Sequence, residues 1–452
     1  MNMKKSKNKW WIYIAYILLF IFIYGGPFYF INFIPKVRDY NREPQAPEWT
    51  GVISFWDFPR LDKKTGTNFQ WIYEKIKAFE RANPGVYIDF TPLDWEMGNI
   101  KLDTAIKMGT PPDILPITSN YSILDQEVLE VLEVHLTSEE IKAFRENAIE
   151  AVSYNGHIWG IPWMISTYTM VLNLDLFEKK AVLPPTDGIW TYEEFVEKLQ
   201  QLTYDSKDKD KIDHFGFNSF IQPGYYNTWG ILLSDGGEIF DSNLNYIFYD
   251  EKALTGLKKL MDLKGLYGVT PPTFGENTSN IAWTSFYKDK NIAVYPVGTW
   301  ALNVLENLRD KGEGFEYTIA HYPVGNLGNP VTISSGVGAY GVSKEEDRDK
   351  LKMCIKFLKY LSNDEHQREL DRLGVLPVKR SVENIYENDP LMGMIYDNID
   401  NIKIIPLHPY WKEIDHILQN EIRMGLLEKK TAEEVLANAK AKIELFLNSI
   451  TR

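Results

Sequence analysis

Between residues 51 and 117 the chain switches repeatedly between two hydrophobic periods, and this limits the possible folds more than any other feature. Gly51–Phe58 reads as a strand. Phe69–Ala82 carries Ile72, Ile76 and Phe79 at helical spacing and stops at Asn83-Pro84-Gly85. Val86–Thr91 is a second strand, Met97–Met108 a second helix, and Asp113–Ile117 a third strand. Strand, helix, strand, helix, strand implies parallel pairing through right-handed crossovers, hence an α/β fold. Ligands of open parallel sheets meet the carboxyl ends of the strands. Trp56 and Asp57 end the first strand, and Ser119 and Asn120 follow the third, so these are candidate ligand contacts. The bland alternative for Asp57, Ser119 and Asn120 is a turn or cap.

The segment Tyr154–Phe177 reads as a tight turn at Asn155-Gly156, a short strand, an aromatic corner, a second strand and a helix start. Pro162 is expected to limit the first of these strands and to leave Trp163 and Tyr168 near a loop. Thr191-Tyr192-Glu193-Glu194 resembles an imperfect capping box before a helix over Phe195–Leu202. Further helices are expected over Glu251–Leu263, after Gly298-Thr299-Trp300, over Lys344–Leu361 and over Thr431–Leu447. Strands are expected at Ile292–Pro296, at Tyr317–Tyr322 as a return crossing, and at Ala339–Val342.

A chain of 452 residues exceeds one ordinary core, so two or three domains are expected. Aromatic residues make up 14%, with 13 Trp and 26 Tyr. Most belong in a core. Indole and phenol rings also have apolar faces and polar edges that suit sugar rings, so the surplus favours a carbohydrate ligand. Tyr225, Tyr226 and Trp229 precede the turn Asp235-Gly236-Gly237, Trp300 follows Gly298, and Tyr410-Trp411 follows Pro409. These rings flank turns rather than forming apolar stripes, which makes them candidate ligand contacts.

Other chemistries fare worse. The net charge is −13, and residues 1–49 carry +4, leaving −17 on the rest. Such a body does not bind nucleic acid or anionic lipid through charge. A single cysteine, Cys354, excludes an internal disulfide and a cysteine-only zinc site. The seven histidines are scattered without H-E-x-x-H. The acidic cluster of Asp205, Asp208, Asp210 and Asp213 lacks the glycine and spacing of a calcium loop. Gly336-Val337-Gly338-Ala339-Tyr340-Gly341 matches G-x-G-x-x-G by letter, but a strand runs through it instead of ending before it. We read this glycine run as a tight backbone approach near a cleft, with Ser335 and Gly336 as candidate ligand contacts. No cofactor and no metal are expected, and the chain is not expected to be an enzyme.

At the N-terminus, Lys4, Lys5, Lys7 and Lys9 precede an apolar run over residues 10–34. As a helix of about 37 Å it would cross a bilayer with tilt, its N-terminus cytoplasmic and the body outside. A cleaved signal peptide is the rival reading, and Tyr24 breaks its small-residue rule. Residues 35–49 contain three prolines and read as a stiff spacer.

The order and spacing of several segments resemble the extracellular solute-binding proteins of ABC importers, in their carbohydrate-binding, maltose-binding-protein-like branch. The segments are Phe79–Gly85, Gly109–Asp113, the run from Tyr154, Trp190–Phe195, Asp235–Phe240, Val297–Trp300, Lys356–Ser362 and Gly374–Val378. The resemblance implies a two-lobed, periplasmic-binding-protein-like α/β fold with hinge crossovers. It puts residues 50–165 and 322–365 in lobe 1, and 166–321 and 366–452 in lobe 2. It also implies that Trp300 stacks a sugar ring, that Trp56 and Asp57 touch ligand, and that Tyr168 and Tyr226 lie in the cleft. The expected partners are a saccharide, the transmembrane subunits of an ABC permease, and the membrane through the N-terminal helix, with no nucleic acid. The body is expected on the extracellular side of the cell membrane. A sensor signalling to a membrane kinase and a glycosidase with paired carboxylates are the alternatives.

Overall fold

The computed structural model describes residues 7–25, 48–117, 127–207, 211–241, 243–404 and 408–450. Met1–Glu48 and Trp49–Arg452 are separate compact units. In the first, helix α1 (Lys7–Phe20) leads into a π-helical turn, Ile21–Gly25, with Trp10, Tyr13, Ile17 and Phe20 exposed. Its 14 residues rise about 21 Å, against about 30 Å of bilayer hydrocarbon. Among the described residues no helix is long and apolar enough to cross a membrane. The expected single helix over 10–34 is therefore not seen as such, and residues 26–34 and the spacer up to 47 lie outside the described residues.

In the second unit the expected strands and helices of the first segment form. Strands β1 (Gly51–Asp57) and β2 (Val86–Pro92) pair in parallel through helix α2 (Gln70–Ala82). Helix α3 (Gly98–Lys107) then leads to β3 (Ile114–Pro116), parallel to β1. Helix α2 forms because Trp71, Ile72, Ile76 and Phe79 recur on one face, and that face is the buried one. Asn155-Gly156 makes the expected turn, joining β4 (Ser153–Tyr154) to β5 (His157–Ile158), with both turn residues at positive φ.

The next strand, β6 (Ile161–Asn173), corrects one expectation. It is continuous for 13 residues, all buried, so Pro162 does not end it and Trp163 and Tyr168 lie on the strand rather than in a loop. The partner strand accommodates the missing N–H: its register shifts between Gly338 and Ala339, and Ala339 faces Pro162.

The remaining strands are β7 (Phe215–Phe217), β8 (Ile292–Gly298), β9 (Tyr317–Ala320) and β10 (Ser334–Val342). The order is β2-β1-β3-β10-β6-β8-β7, with β9 also on β6. Strand β6 belongs to two sets of partners. Residues up to Thr167 pair antiparallel with β10, whereas Tyr168–Leu172 pair with β8 and Met170–Asn173 with β9. The chain passes between these sets again over residues 321–333, where Tyr168 N–H and the Thr167 hydroxyl both donate to the Ile333 carbonyl. Ile165 and Leu376 exchange backbone hydrogen bonds at a further pass.

Helices cover both sets. The longer ones are α4 (Tyr192–Gln201), α5 (Glu251–Gly265), α6 (Trp300–Asp310), α7 (Arg348–Leu361), α8 (Trp411–Leu426) and α9 (Ala432–Ile450). Thr191 caps α4 with a complete capping box: its hydroxyl accepts from Glu194 N–H and Glu194 accepts from Thr191 N–H. Thr431 and Glu434 do the same for α9.

Two apolar clusters form the core. One gathers α2, β1, β3 and α7, and the other gathers α4, α5, α8 and α9. Residues 370–402 contribute Leu370, Leu376, Tyr386, Ile395 and Ile402 to the first cluster, which also takes Phe286, Tyr295, Leu302 and Ile319. Tyr322, Val331 and Ile333 lie in the second. Cys354 is buried in the first cluster without a disulfide, and burial raises its thiol pKa. The molecule is thus a mixed α/β protein of two domains sharing crossover strands.

Candidate functional site

The carboxyl ends of β1 and β8 and the crossing region of β6 and β10 supply the candidate groups. At the end of β1, Asp57 is buried. Its Oδ2 accepts from the Tyr340 hydroxyl at 2.7 Å and from Arg60 at 2.9 Å. Its Oδ1 has no hydrogen-bond partner among the described residues. Arg60 also donates to the Phe58 carbonyl and lies 4.8 Å from the centre of the Trp163 ring. Burial works against the Arg60 charge, but Asp57 and Tyr340 more than offset it and raise its pKa. Half-buried Trp56 lies under Lys101 of α3, at 4.9 Å.

Trp163 serves the core. It is buried and stacks on Trp71 at 5.2 Å and on Tyr340 at 5.8 Å, both nearly parallel. Ser119 and Asn120 lie outside the described residues.

On the other side of the crossing, Tyr168 pairs with Gly298 and Thr299 N–H donates to the Thr167 carbonyl. This register puts Trp300 just beyond the end of β8. Its side chain is 48% exposed and rests near Trp283, which stacks on Tyr287. The Tyr168 hydroxyl accepts from Tyr226 N–H, and the Tyr226 hydroxyl accepts from the Trp411 indole at 2.7 Å. Trp229 meets Tyr226 and Trp411 edge to face. Tyr168, Tyr226, Trp229 and Trp411 are therefore brought together, but as a buried wall. Tyr225, half-buried against Phe220, and half-buried Tyr410 flank it.

At the crossing itself the Ser334 hydroxyl donates to the Ser166 carbonyl and accepts from Gly336 N–H, and the Ser166 and Thr299 hydroxyls are 3.3 Å apart. Gly336 has φ of 153°, which favours glycine, at a register shift, with open space where a Cβ would stand. Further along the run Gly338 and Gly341 are closely packed: a Cβ would meet the Met164 side chain at 2.7 Å and the Ile117 side chain at 2.8 Å, respectively.

Helix α3 links the two sides. Asp103 lies one half-turn from Lys101 and pairs with Lys412 of α8 at 3.1 Å. The end of β1 and the start of α8 thus approach one another through α3. Sequence reasoning missed Arg60, Lys101, Asp103 and Trp283. Only Arg60, three residues past Asp57, carried a local signal.

Asp415 fixes the loop that bears Tyr225 and Tyr226. It accepts from Gly224 N–H, while Gln419 donates to both Asp415 and the Tyr225 carbonyl. Burial raises the Asp415 pKa to about 7, and the hydrogen bonds from Gly224 and Gln419 lower it only in part. The unfolded value is about 3.9. The native state therefore holds the extra proton, and stability from this group is complete below about pH 4 and lost as pH rises through about 7. Denaturation of wild type and Asp415→Asn at a series of pH values should show the variant losing less stability between about pH 5 and 7.5, by about 2.5 kcal/mol. Parallel curves would rule out this carboxyl as the source.

Among the described residues no group of His, Cys, Asp and Glu could hold a metal ion. The fold is that of a two-domain α/β protein whose lobes share crossing strands, with these aromatic walls on either side. The family model described as bacterial extracellular solute-binding protein matches residues 74–393, and the chain belongs to that family. The maltotriose-binding protein of Pyrococcus abyssi is 23% identical over 359 residues, 75% of this chain and 73% of that protein. Two solved structures share the fold. An ABC substrate-binding protein from Listeria monocytogenes in complex with cycloalternan has a TM-score of 0.73 and 20% identity, over 88% of this chain and all of that one. A maltose-bound protein from T. maritima has a TM-score of 0.70 and 18% identity, over 87% and 99%. The family is one of extracellular solute-binding proteins, which makes the chain a solute-binding component with its body outside the cytoplasm.

Proposed function

We propose that this protein captures an oligosaccharide between its two lobes and delivers it to an ABC permease without covalent chemistry. The observation that carries the reading is the exposed indole of Trp300, held at the end of β8 beside the crossing, with polar groups of Ser166 and Thr299 at the crossing and Arg60 past the end of β1. An open indole offers a sugar face its apolar contact, and fixed donors and acceptors select hydroxyls. The names of several structural neighbours mention maltose, maltotriose or cycloalternan, which supports a glucan-like ligand. The proposed contact set is Trp56, Asp57, Arg60, Tyr225, Trp300, Gly336 and Tyr410, with Tyr168, Tyr226, Trp229 and Trp411 as the supporting wall.

The first lobe is proposed as residues 50–165 with 322–365 and the second as 166–321 with 366–452, each drawing on both sides of the crossing strands. Closure of the lobes would change the Asp103–Lys412 pair. The exposed apolar residues of α1 and the preceding lysines support a tether to the membrane through the N-terminal segment.

Titration of tryptophan fluorescence with a glycan panel tests the ligand class. A saturable response to at least one oligosaccharide is expected. Silence toward every saccharide, with tight binding of a peptide or a metal, would overturn it.

A further inference from the structure

The first lobe exposes a second indole that the cleft described above does not use. Trp95 follows β2 and is 56% exposed. One face stacks on Phe58, with ring centres 4.5 Å apart and 13° between planes. Phe58 is buried and directly follows Asp57, and Leu93 N–H donates to the Asp57 carbonyl. The stack therefore stands at the same strand ends as Trp56 and Asp57.

Its support is built in. A Cβ on Gly98 would meet the Phe58 ring at 2.7 Å and Leu93 at 3.0 Å, so a glycine lets α3 close against the buttress. Asp94 fixes the turn, its Oδ1 accepting from Glu96 N–H and Met97 N–H. Exposed indoles normally lose their free face to a core or a partner, and one held flat by a buried ring is a platform. Lys101, in the first turn of α3, covers Trp56, so both indoles lie near the start of this helix.

We propose that the outer face of Trp95 is an additional subsite, which receives a sugar ring of an oligosaccharide whose inner rings occupy the cleft. The apolar ring face supplies the contact, and the carboxylates of Asp94 and Glu96 accept from its hydroxyls. The chemistry is that of a neutral, chain-extended saccharide rather than a monosaccharide. This inference rests on the saccharide reading of the cleft.

The test is calorimetric titration of wild type, Trp95→Ala and Trp95→Phe with linear α-1,4-linked and β-1,4-linked glucans, from disaccharide to heptasaccharide. In the wild type, affinity should rise with chain length. Trp95→Ala should lose about tenfold for the longer members and nothing for the shortest, while Trp95→Phe keeps most of the gain. Circular dichroism of the variants, whose altered side chain is exposed, should match wild type. No loss at any length, or an equal loss at every length, overturns the subsite and leaves the cleft reading standing. A wild type that binds none of these glucans overturns the subsite for them; if it also ignores every saccharide of the panel, the cleft reading falls too.

Discussion

Trp300→Ala is expected to weaken binding of the saccharide identified by titration about thirtyfold, with little change in unfolding. The two halves of this expectation come from different facts. The side chain is nearly half exposed, and its neighbour Trp283 has other partners in Tyr287 and Tyr295. Removing the indole therefore opens no sealed cavity, and stability should change by about 1 kcal/mol or less. Affinity is different. A tryptophan at the centre of a binding surface commonly carries about 2 kcal/mol, which converts to about thirtyfold. The backbone that presents it is fixed independently by the Tyr168–Gly298 pairing and by Thr299 N–H on the Thr167 carbonyl. The variant should keep that presentation and lack only the ring. Trp300→Phe should recover part of the affinity. Calorimetric titration and chemical denaturation of the same samples separate the outcomes, and unchanged affinity in Trp300→Ala would remove this indole from the site.

The contrast between Trp300 and the other aromatic candidates shows what the sequence could and could not reveal. The β1–α2–β2–α3–β3 segment was legible because each element repeats its apolar residues within a few positions, and burial follows that repeat. The turn at Asn155-Gly156 was legible for the same local reason. Strand β6 was not read at its full length. Pro162 is a local stop signal, and it is overridden by a register shift in β10, a strand more than 160 residues later in the chain. Which apolar cluster residues 282–333 and 366–402 join was not legible, because their packing partners are chosen in three dimensions.

Within the candidate site, position past a strand end singles out Trp56, Asp57 and Trp300. It does not say which face of a ring is open. Trp163 and Trp229 look no different from Trp300 in sequence, yet each is enclosed by rings from distant segments. Lys101 and Asp103 carried no signal. They matter through Trp56 and Lys412, and the separation from Asp103 to Lys412 is 309 residues.

Trp163→Ala should act in the opposite sense to Trp300→Ala, lowering the stability of the fold by about 3–5 kcal/mol. The ring lies between Trp71 and Tyr340 with Arg60 over it, so truncation removes stacking partners from three side chains at once. The cavity cannot close easily. Tyr340 is held by its hydrogen bond to Asp57, and the Trp163 carbonyl is held by Gln367, which also accepts from Val378 N–H. Both anchors tie the backbone on either side of the void, which puts the cost toward the upper end of the range for large-to-small core changes. Loss of binding in this variant would follow from displacement of Arg60 and Asp57, and so should scale with the loss of stability. Trp163→Phe, which keeps a ring in the stack, should restore most of both. Chemical denaturation measures the effect directly. A Trp163→Ala protein as stable as wild type but unable to bind saccharide would make Trp163 a ligand contact after all and would require the ring stack to open when the ligand enters.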